Sequence, residues 1–268
     1  MSQMSLRVCV VTFDTPPALL ETTLSSVIRA IDKVTDLCAS VCVVNNGQAH
    51  PPKIEWPPRA AGSTTVELCH LPENPGYGAA NNRALKSGSE DYVLVLNPDV
   101  ELADDALEVA LAFMAHNADV VAVAPRTVND AGEREFLCKQ NPGVFTFLLR
   151  GFAPAFIKAR FEERLADFEM RSETADGVAV ADVPIASGCC LLVRGDAYRA
   201  LGGFDERYFL YFEDFDLCVR LGAHGRIVYL GAMNVVHHGG NAARKGLWHI
   251  RQFLLSGWRF FATNGWRW

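Results

Sequence analysis

Three short stretches carry side chains able to do chemistry. In YVLVLNPDV, residues 92–100, five apolar or aromatic residues run straight into Asn97, Pro98 and Asp99. Proline has no N–H to give to a central ladder, so the strand must end there. Asp99 then stands at the carboxyl edge of a strand as a hard oxygen donor suited to Mg²⁺ or Mn²⁺. Mg²⁺ is commonly held by one or two carboxylates with substrate phosphates supplying further ligands. Asn-Pro-Asp is also ordinary turn chemistry, and the local stretch leaves both readings open. In FLYFEDFDLCVRL, residues 209–221, Glu213, Asp214 and Asp216 sit among aromatics at a helix start. Acids there complement the helix dipole. Aromatic flanks favour a partly dry pocket, which raises a carboxylate's pKa and makes it a better base. These effects oppose each other, and pairing of Glu213 with Arg220 is a further option. In NVVHHGGN, residues 234–241, His237 and His238 end a strand. Strand alternation puts them on opposite faces, so one of the two is expected to reach a site shared with Asp99.

The elements that must position these groups alternate along the first half. Apolar runs at 6–13, 40–45, 65–71, 92–97 and 119–125 read as strands. Residues 17–32 carry a helical stripe of Leu20, Leu24, Val27, Ile28 and Ile31, and helices are expected at 76–88 and 102–116. A Pro-rich loop occupies 50–63. Continuous apolar strands alternating with helices imply an α/β fold with a mostly parallel sheet covered on both faces. Ligands of such sheets bind beyond the carboxyl ends of the strands, where Asp99 lies. Within NPGYGAANN, residues 74–82, Gly76 and Gly78 open a helix and let the backbone approach a ligand, and free N–H groups at that start favour an anion. The spacing is not G-x-G-x-x-G, so the dinucleotide fingerprint is absent. Further on, 134–178 is charged and weakly periodic and reads as a mobile or acceptor-facing segment. Residues 180–204 read as strand, turn, strand, helix; 211–225 as a helix; RIVYL and MNVVHH as strands.

Bulk properties narrow the class. The chain has 268 residues, 50% hydrophobic and 21% charged, enough for one large domain with a real core. Net charge is −6, which argues against nucleic acid as a partner. No acid follows Asp216, whereas Arg244, Lys245, Arg251, Arg259 and Arg267 crowd the tail. The eight cysteines form no CxxC pair and lie largely in apolar runs, which reads as reduced thiols and a cytoplasmic location rather than a zinc site. No signal pattern opens the sequence and no apolar run reaches the ~18 residues of a membrane span.

Together VVTFD, VCVVNNG, NPGYGAANN, LVLNPDV, the long block from Ser187 to Leu221 and VVHHGG resemble, in order and spacing, the inverting family 2 glycosyltransferases of GT-A fold. Within that family the resemblance is to bacterial rhamnosyltransferases of O-antigen and cell-wall polysaccharide assembly. It implies a domain over 1–240 and a C-terminal amphipathic helix over 241–268. It implies that Asp99 matches the last acid of the DxD motif, which binds the divalent metal (Mg²⁺ or Mn²⁺) bridging the donor diphosphate, and that His237 completes the metal site. Asp214 matches the general base that takes the acceptor's proton in a direct displacement with inversion, with Glu213 and Ser187 on the acceptor side. Thr12, Asp14, Asn45, Gly76, Gly78, Asn82 and Asn97 match the nucleotide-sugar side. Two positions depart from the family pattern: Asn45 replaces an Asp that hydrogen-bonds the pyrimidine, and Asn97 replaces the first DxD acid, which lowers the charge of the site.

The implied donor is dTDP-rhamnose, or alternatively a UDP-sugar of galactofuranose or glucose. The implied acceptor is a glycan, lipid-diphosphate-linked. The tail, with four of the five tryptophans and Leu247, Ile250, Leu254, Trp258 and Phe261 at helical spacing, suits either an anionic membrane surface on the cytoplasmic side or a packing or dimer contact. A nucleotidyltransferase would carry a Gly-rich basic first loop, which VTFDTPPA lacks. A non-catalytic nucleotide- or glycan-binding domain is the remaining alternative, and it predicts that Asp214→Asn changes nothing measurable.

Overall fold

The computed structural model describes residues 3–47, 64–85, 88–239 and 246–268. The Pro-rich segment 50–63, residues 86–87 of the expected second helix, Arg244, Lys245 and the boundary expected after residue 240 lie outside them.

Strands β1 (Met4–Thr12), β2 (Leu37–Asn46), β3 (Thr65–Leu71) and β4 (Tyr92–Leu96) interleave with helices α1 (Pro17–Asp32) and α2 (Tyr77–Leu85). β1 pairs in parallel with β2 and β4, and β2 with β3. The sheet continues through β11 (Cys190–Arg194), β6 (Val120–Val128), β12 (Arg226–His237) and β5 (Val100–Leu102), in the order β3-β2-β1-β4-β11-β6-β12-β5. β11 and β5 run antiparallel to their neighbours. Two short edge strands, β7 (Arg134–Glu135) and β9 (Val180–Asp182), pair with β6 and β12. β8 (Cys138–Lys139) and β10 (Ile185–Ala186) form a separate pair. The expected α/β architecture with a mostly parallel sheet is thus present.

The period of two along each strand sends side chains into two cores. Leu6, Val8 and Val10 of β1, with Tyr92, Leu94 and Leu96 of β4, pack under α1 and α3 (Ala106–His116). Cys9 and Val11, with Val93 and Val95, pack under α2, α7 (Gly195–Ala200) and α8 (Glu213–Leu221). The α1 stripe is buried as its spacing predicts, and Pro17 sits in the first turn, where a missing N–H costs nothing. All eight cysteines are free thiols, most of them buried.

Three stretches differ from expectation. Residues 134–178 hold α4 (Val144–Phe152), α5 (Ala155–Arg160) and α6 (Glu162–Phe168) in addition to β7 and β8. RIVYL and MNVVHH form one strand, β12, whose register with β6 shifts between Leu230 and Asn234. β5 intervenes after Asp99, so the helix expected from 102 begins at Ala106.

The last helix, α9 (Leu247–Asn264), is docked by a third, aromatic core of Tyr208, Phe212, Phe260 and Phe261. A Cβ at Gly257 would meet the Phe147 ring at 2.6 Å, so glycine is what lets α9 approach α4. The predicted apolar stripe of α9 mostly faces outward: Leu247 is 86% and Trp258 63% exposed, while Phe261 is buried.

Candidate active site

The strand order reverses between β1 and β4, and the crevice beyond their carboxyl ends is a cavity of about 490 Å³. Asn97, Pro98 and Asp99 line its floor, Phe13, Thr15 and Asn46 one side, and Gly76 and Tyr77 another. Phe209, Trp248 and His249 close it. Asn97 N–H donates to the Cys189 carbonyl at 2.7 Å, and the Pro98 carbonyl accepts from Thr23 Oγ1 at 3.0 Å, which fixes the turn.

Pairing of β5 with β12 sets His237 opposite Val100 and so beside Asp99. His237 Nε2 lies 3.6 Å from Asp99 Oδ1. On the other side of the ring, Nδ1 lies 2.7 Å from Glu135 Oε2. A carboxylate only accepts, so Nδ1 carries the hydrogen, and a neutral ring then turns its Nε2 lone pair toward Asp99. A carboxylate behind a histidine in this way is the usual support of a metal-ligating imidazole. Among the described residues no group of three or more His, Cys, Asp or Glu comes together around one point. Two protein ligands, one carboxylate and one imidazole, fit a divalent ion whose remaining positions go to phosphate and water. His238 turns the opposite way, to Glu101 and Asp130, as alternation requires.

A second cavity of about 220 Å³ adjoins residues 211–215 and is lined by Glu213, Asp214, Ser187, Lys139 and aromatic rings. Tyr211 and Phe212 both hold left-handed backbone, with φ of 69° and 64°. Two such non-glycine residues in sequence cost roughly 1–3 kcal/mol each, and strain of this kind concentrates at functional sites. Here it aims the first turn of α8 into the cavity. Asp214 accepts from Gly188 N–H at 3.1 Å and from Phe215 N–H at 2.9 Å. Burial nonetheless raises its pKa, against the pull of those backbone N–H groups. Glu213 is 6% exposed and its Oε2 has no hydrogen-bond partner among the described residues. Burial, and then the charge of Asp214, push its carboxyl up to about 8. Of the two opposing effects foreseen for these acids, desolvation therefore prevails over the helix dipole. Arg220 pairs with Asp216, at 2.7 Å, and not with Glu213.

Tyr77 joins the two cavities. Its hydroxyl lies 2.9 Å from Asn97 Oδ1 and 2.9 Å from the Gly188 carbonyl, and Gly188 N–H holds Asp214. The strip 209–214 is the wall between them, with Phe209 and Leu210 facing one and Tyr211 to Asp214 the other.

The remaining predicted residues are placed as follows. Asp14, at φ 53°, falls between the lining residues Phe13 and Thr15. Thr12 and Asn45 are buried partners in the β1–β2 ladder. The Asn45 amide lies 2.9 Å from His70 Nδ1, and its neighbour Asn46 reaches the cavity. Gly76 has φ +98°, and a Cβ there would lie 2.5 Å from the Phe209 carbonyl oxygen. Gly78 does the same service against the Phe204 side chain, at 2.9 Å. At the start of α2, Gly76 N–H donates to Asn74 Oδ1 and Tyr77 N–H to the Phe209 carbonyl. Asn82 is buried and spends its amide on Phe204, Glu206 and Tyr198. Ser187 Oγ accepts from Cys189 N–H at 3.3 Å at the edge of the second cavity. Sequence reasoning missed Tyr77, Glu135, Trp248 and His249. A tyrosine between two glycines at a helix start was the one local signal; the others reach the site through tertiary contacts alone.

Known proteins share this architecture. The crystal structure of GalNAc-T7 with UDP, GalNAc and Mn²⁺ superposes with a TM-score of 0.65 at 11% identity, over 94% of this chain and 47% of that one. The mannosyltransferase PcManGT from Pyrobaculum calidifontis, in complex with GDP-Man and Mn²⁺, gives 0.55 at 18% identity over 95% and 64%. By sequence, the N-acetylglucosaminyl-diphospho-decaprenol L-rhamnosyltransferase of Mycobacterium tuberculosis is 30% identical over 89% of this chain and 80% of its own length. Rhamnosyltransferase WbbL of Escherichia coli is 25% identical over 66% and 67%. Residues 7–202, which carry the Asn-Pro-Asp turn and most of the lining of the strand-end cavity, match the family described as Glycosyl transferase family 2. With the crevice, the strand-end acid and these sequence relatives in agreement, the chain belongs to glycosyl transferase family 2 and is a glycosyltransferase.

Proposed function

We propose that the protein transfers L-rhamnose from dTDP-rhamnose, with inversion, to a glycan acceptor linked to lipid through a diphosphate. The observation that carries this reading is the pair of cavities divided by the strip 209–214, with Asp99 in the larger and Asp214 in the smaller. The nucleotide diphosphate sits in the strand-end cavity. Asp99 and His237 would hold a divalent ion, Mg²⁺ or Mn²⁺, which offsets the charge that develops on the leaving diphosphate. Asp214, with its raised pKa and its carboxylate positioned by Gly188 and Phe215, takes the proton from the acceptor hydroxyl as that oxygen attacks the anomeric carbon. Rhamnose as the sugar is supported by the rhamnosyltransferases among the relatives, and the diphosphate-lipid acceptor by the name of the mycobacterial one.

The outward apolar face of α9 rests on an anionic membrane surface in this reading, where its tryptophans and arginines suit the interface. Among the described residues no helix is long and apolar enough to cross a membrane. Free thiols throughout agree with a cytoplasmic setting for that surface.

Thermal stabilisation by dTDP, UDP, GDP and ADP, each with and without Mg²⁺ or Mn²⁺, tests the donor. A metal-dependent shift greatest with dTDP is expected. A preference for UDP would keep the mechanism and replace the donor by a UDP-sugar. Asp214→Asn should retain the nucleotide shift and lose transfer by about 10²–10⁴-fold. Transfer at the wild-type rate would remove Asp214 as the base.

A further inference from the structure

Lys139 and Arg150 line the second cavity together with Asp214, and both lean on a single carboxylate, Glu169. Lys139 is 5% exposed, on the short strand β8. Its Nζ lies 3.6 Å from Glu169 Oε1, and Arg150 Nε approaches the same oxygen at 3.7 Å. The other oxygen, Oε2, is taken by Arg171, which donates to it from two nitrogens at 2.7 and 3.0 Å. Arg171 has a second carboxylate in Glu162, whereas Lys139 and Arg150, which face the cavity, share one loosely held oxygen of Glu169, and Lys139 Nζ also donates to the Phe136 carbonyl. Both also lie over one ring, Phe168, at 5.9 Å for Lys139 Nζ and 5.8 Å for the Arg150 guanidinium carbon. Burial, and then the charge of Arg150, bring the lysine's pKa down to about 8. A cation kept in a dry wall beside a second cation is costly unless an anion completes the set. The rest of the cavity lining is aromatic apart from Leu137, Pro142, Ser187 and the two acids, with Phe147, Phe168 and Phe253 prominent. Such rings suit the faces of a sugar and leave the anion to the two cations.

We propose that Lys139 and Arg150 form an anion subsite in the acceptor cavity that takes a phosphate group carried by the acceptor sugar. This rests on the acceptor reading given above and deepens it. The subsite separates phosphate-linked acceptors from neutral glycans, because a neutral sugar leaves the two cations with only the shared Glu169 oxygen as counter-charge.

The test titrates the full chain with inorganic pyrophosphate in EDTA, so that metal at Asp99 plays no part, and reads affinity by calorimetry and by amide chemical shifts. Saturable binding is expected. Lys139→Met and Arg150→Gln should each weaken it at least about tenfold, equivalent to ~1.4 kcal/mol. Arg150 has 47% side-chain exposure, so its variant carries the test even where the lysine variant fails to fold. No binding by the wild type overturns the proposal, as does equal binding by wild type and Arg150→Gln. Failure of the glycosyl-transfer reading would show separately, as no stabilisation by any nucleotide with metal.

Discussion

Glu213→Gln isolates the cost of the buried acid pair. In the native state the Glu213 carboxyl is raised from 4.5 to about 8. Between those values the folded chain keeps a proton that the unfolded chain has lost, so stability falls as pH rises through this window and levels off above it. Converted at about 1.36 kcal/mol per pKa unit, the span sets a ceiling of roughly 5 kcal/mol. Glutamine has the same shape and no charge, so it escapes that loss. It still buries an amide, at a cost of about 1–3 kcal/mol that does not vary with pH. The stability gap between variant and wild type should therefore open in favour of the variant by about 3–5 kcal/mol from pH 5 to pH 9. At roughly 2–4 °C per kcal/mol, the difference in Tm changes by on the order of 10 °C. Melting curves of both proteins at five pH values across this range give the answer. Parallel curves would show that Glu213 titrates normally in the fold, and the desolvated dyad would have to be abandoned.

Other consequences can be checked in the same preparations. Glu135→Gln leaves His237 without its carboxylate and should weaken the effect of Mn²⁺ on nucleotide stabilisation by about 10–100-fold in metal affinity; an unchanged metal titration would place the metal away from His237. Gly76→Ala puts a Cβ 2.5 Å from the Phe209 carbonyl at a φ of +98°. The backbone cost alone is ~1–2 kcal/mol, so a lower Tm together with weaker nucleotide binding is expected, and wild-type values for both would show that the strip moves freely. Phe260→Ala removes a ring from the aromatic core under α9 and should cost about 3–5 kcal/mol, read by urea melts; a loss below 1 kcal/mol would mean that α9 is held from elsewhere.

Much of the site could be read from the sequence because its residues stand at the ends of strongly patterned elements. The run of five buried residues in β4 points to Asp99, and alternation along β12 separates His237 from His238. Residues 134–178 resisted the same reasoning for a physical cause. Helix α4 has only 9 residues, and it turns Phe145, Leu148 and Phe152 outward at 38%, 45% and 46% exposure while burying Thr146. Helices α5 and α6 have only 6 and 7 residues, less than two full turns. Glu135 lies 102 residues from His237, and Trp248 meets Phe209 across the aromatic packing of α9. Contacts of that separation leave no local mark. The α9 stripe is a real period, and it mostly marks the face turned away from the protein.

The strip 209–214 has a kinetic meaning. It is gripped by α2 through the Phe209 carbonyl and by α9 through Ser256, which donates to the Leu210 carbonyl at 2.8 Å. One face of it touches whatever fills the larger cavity and the other whatever fills the smaller. A ligand that shifts the strip on one side changes the affinity on the other, and linkage makes the effect mutual. In such an enzyme each substrate changes the apparent affinity for the other, and its spent nucleotide inhibits differently with and without acceptor present. Initial-rate patterns would then report on six residues of backbone rather than on either pocket alone.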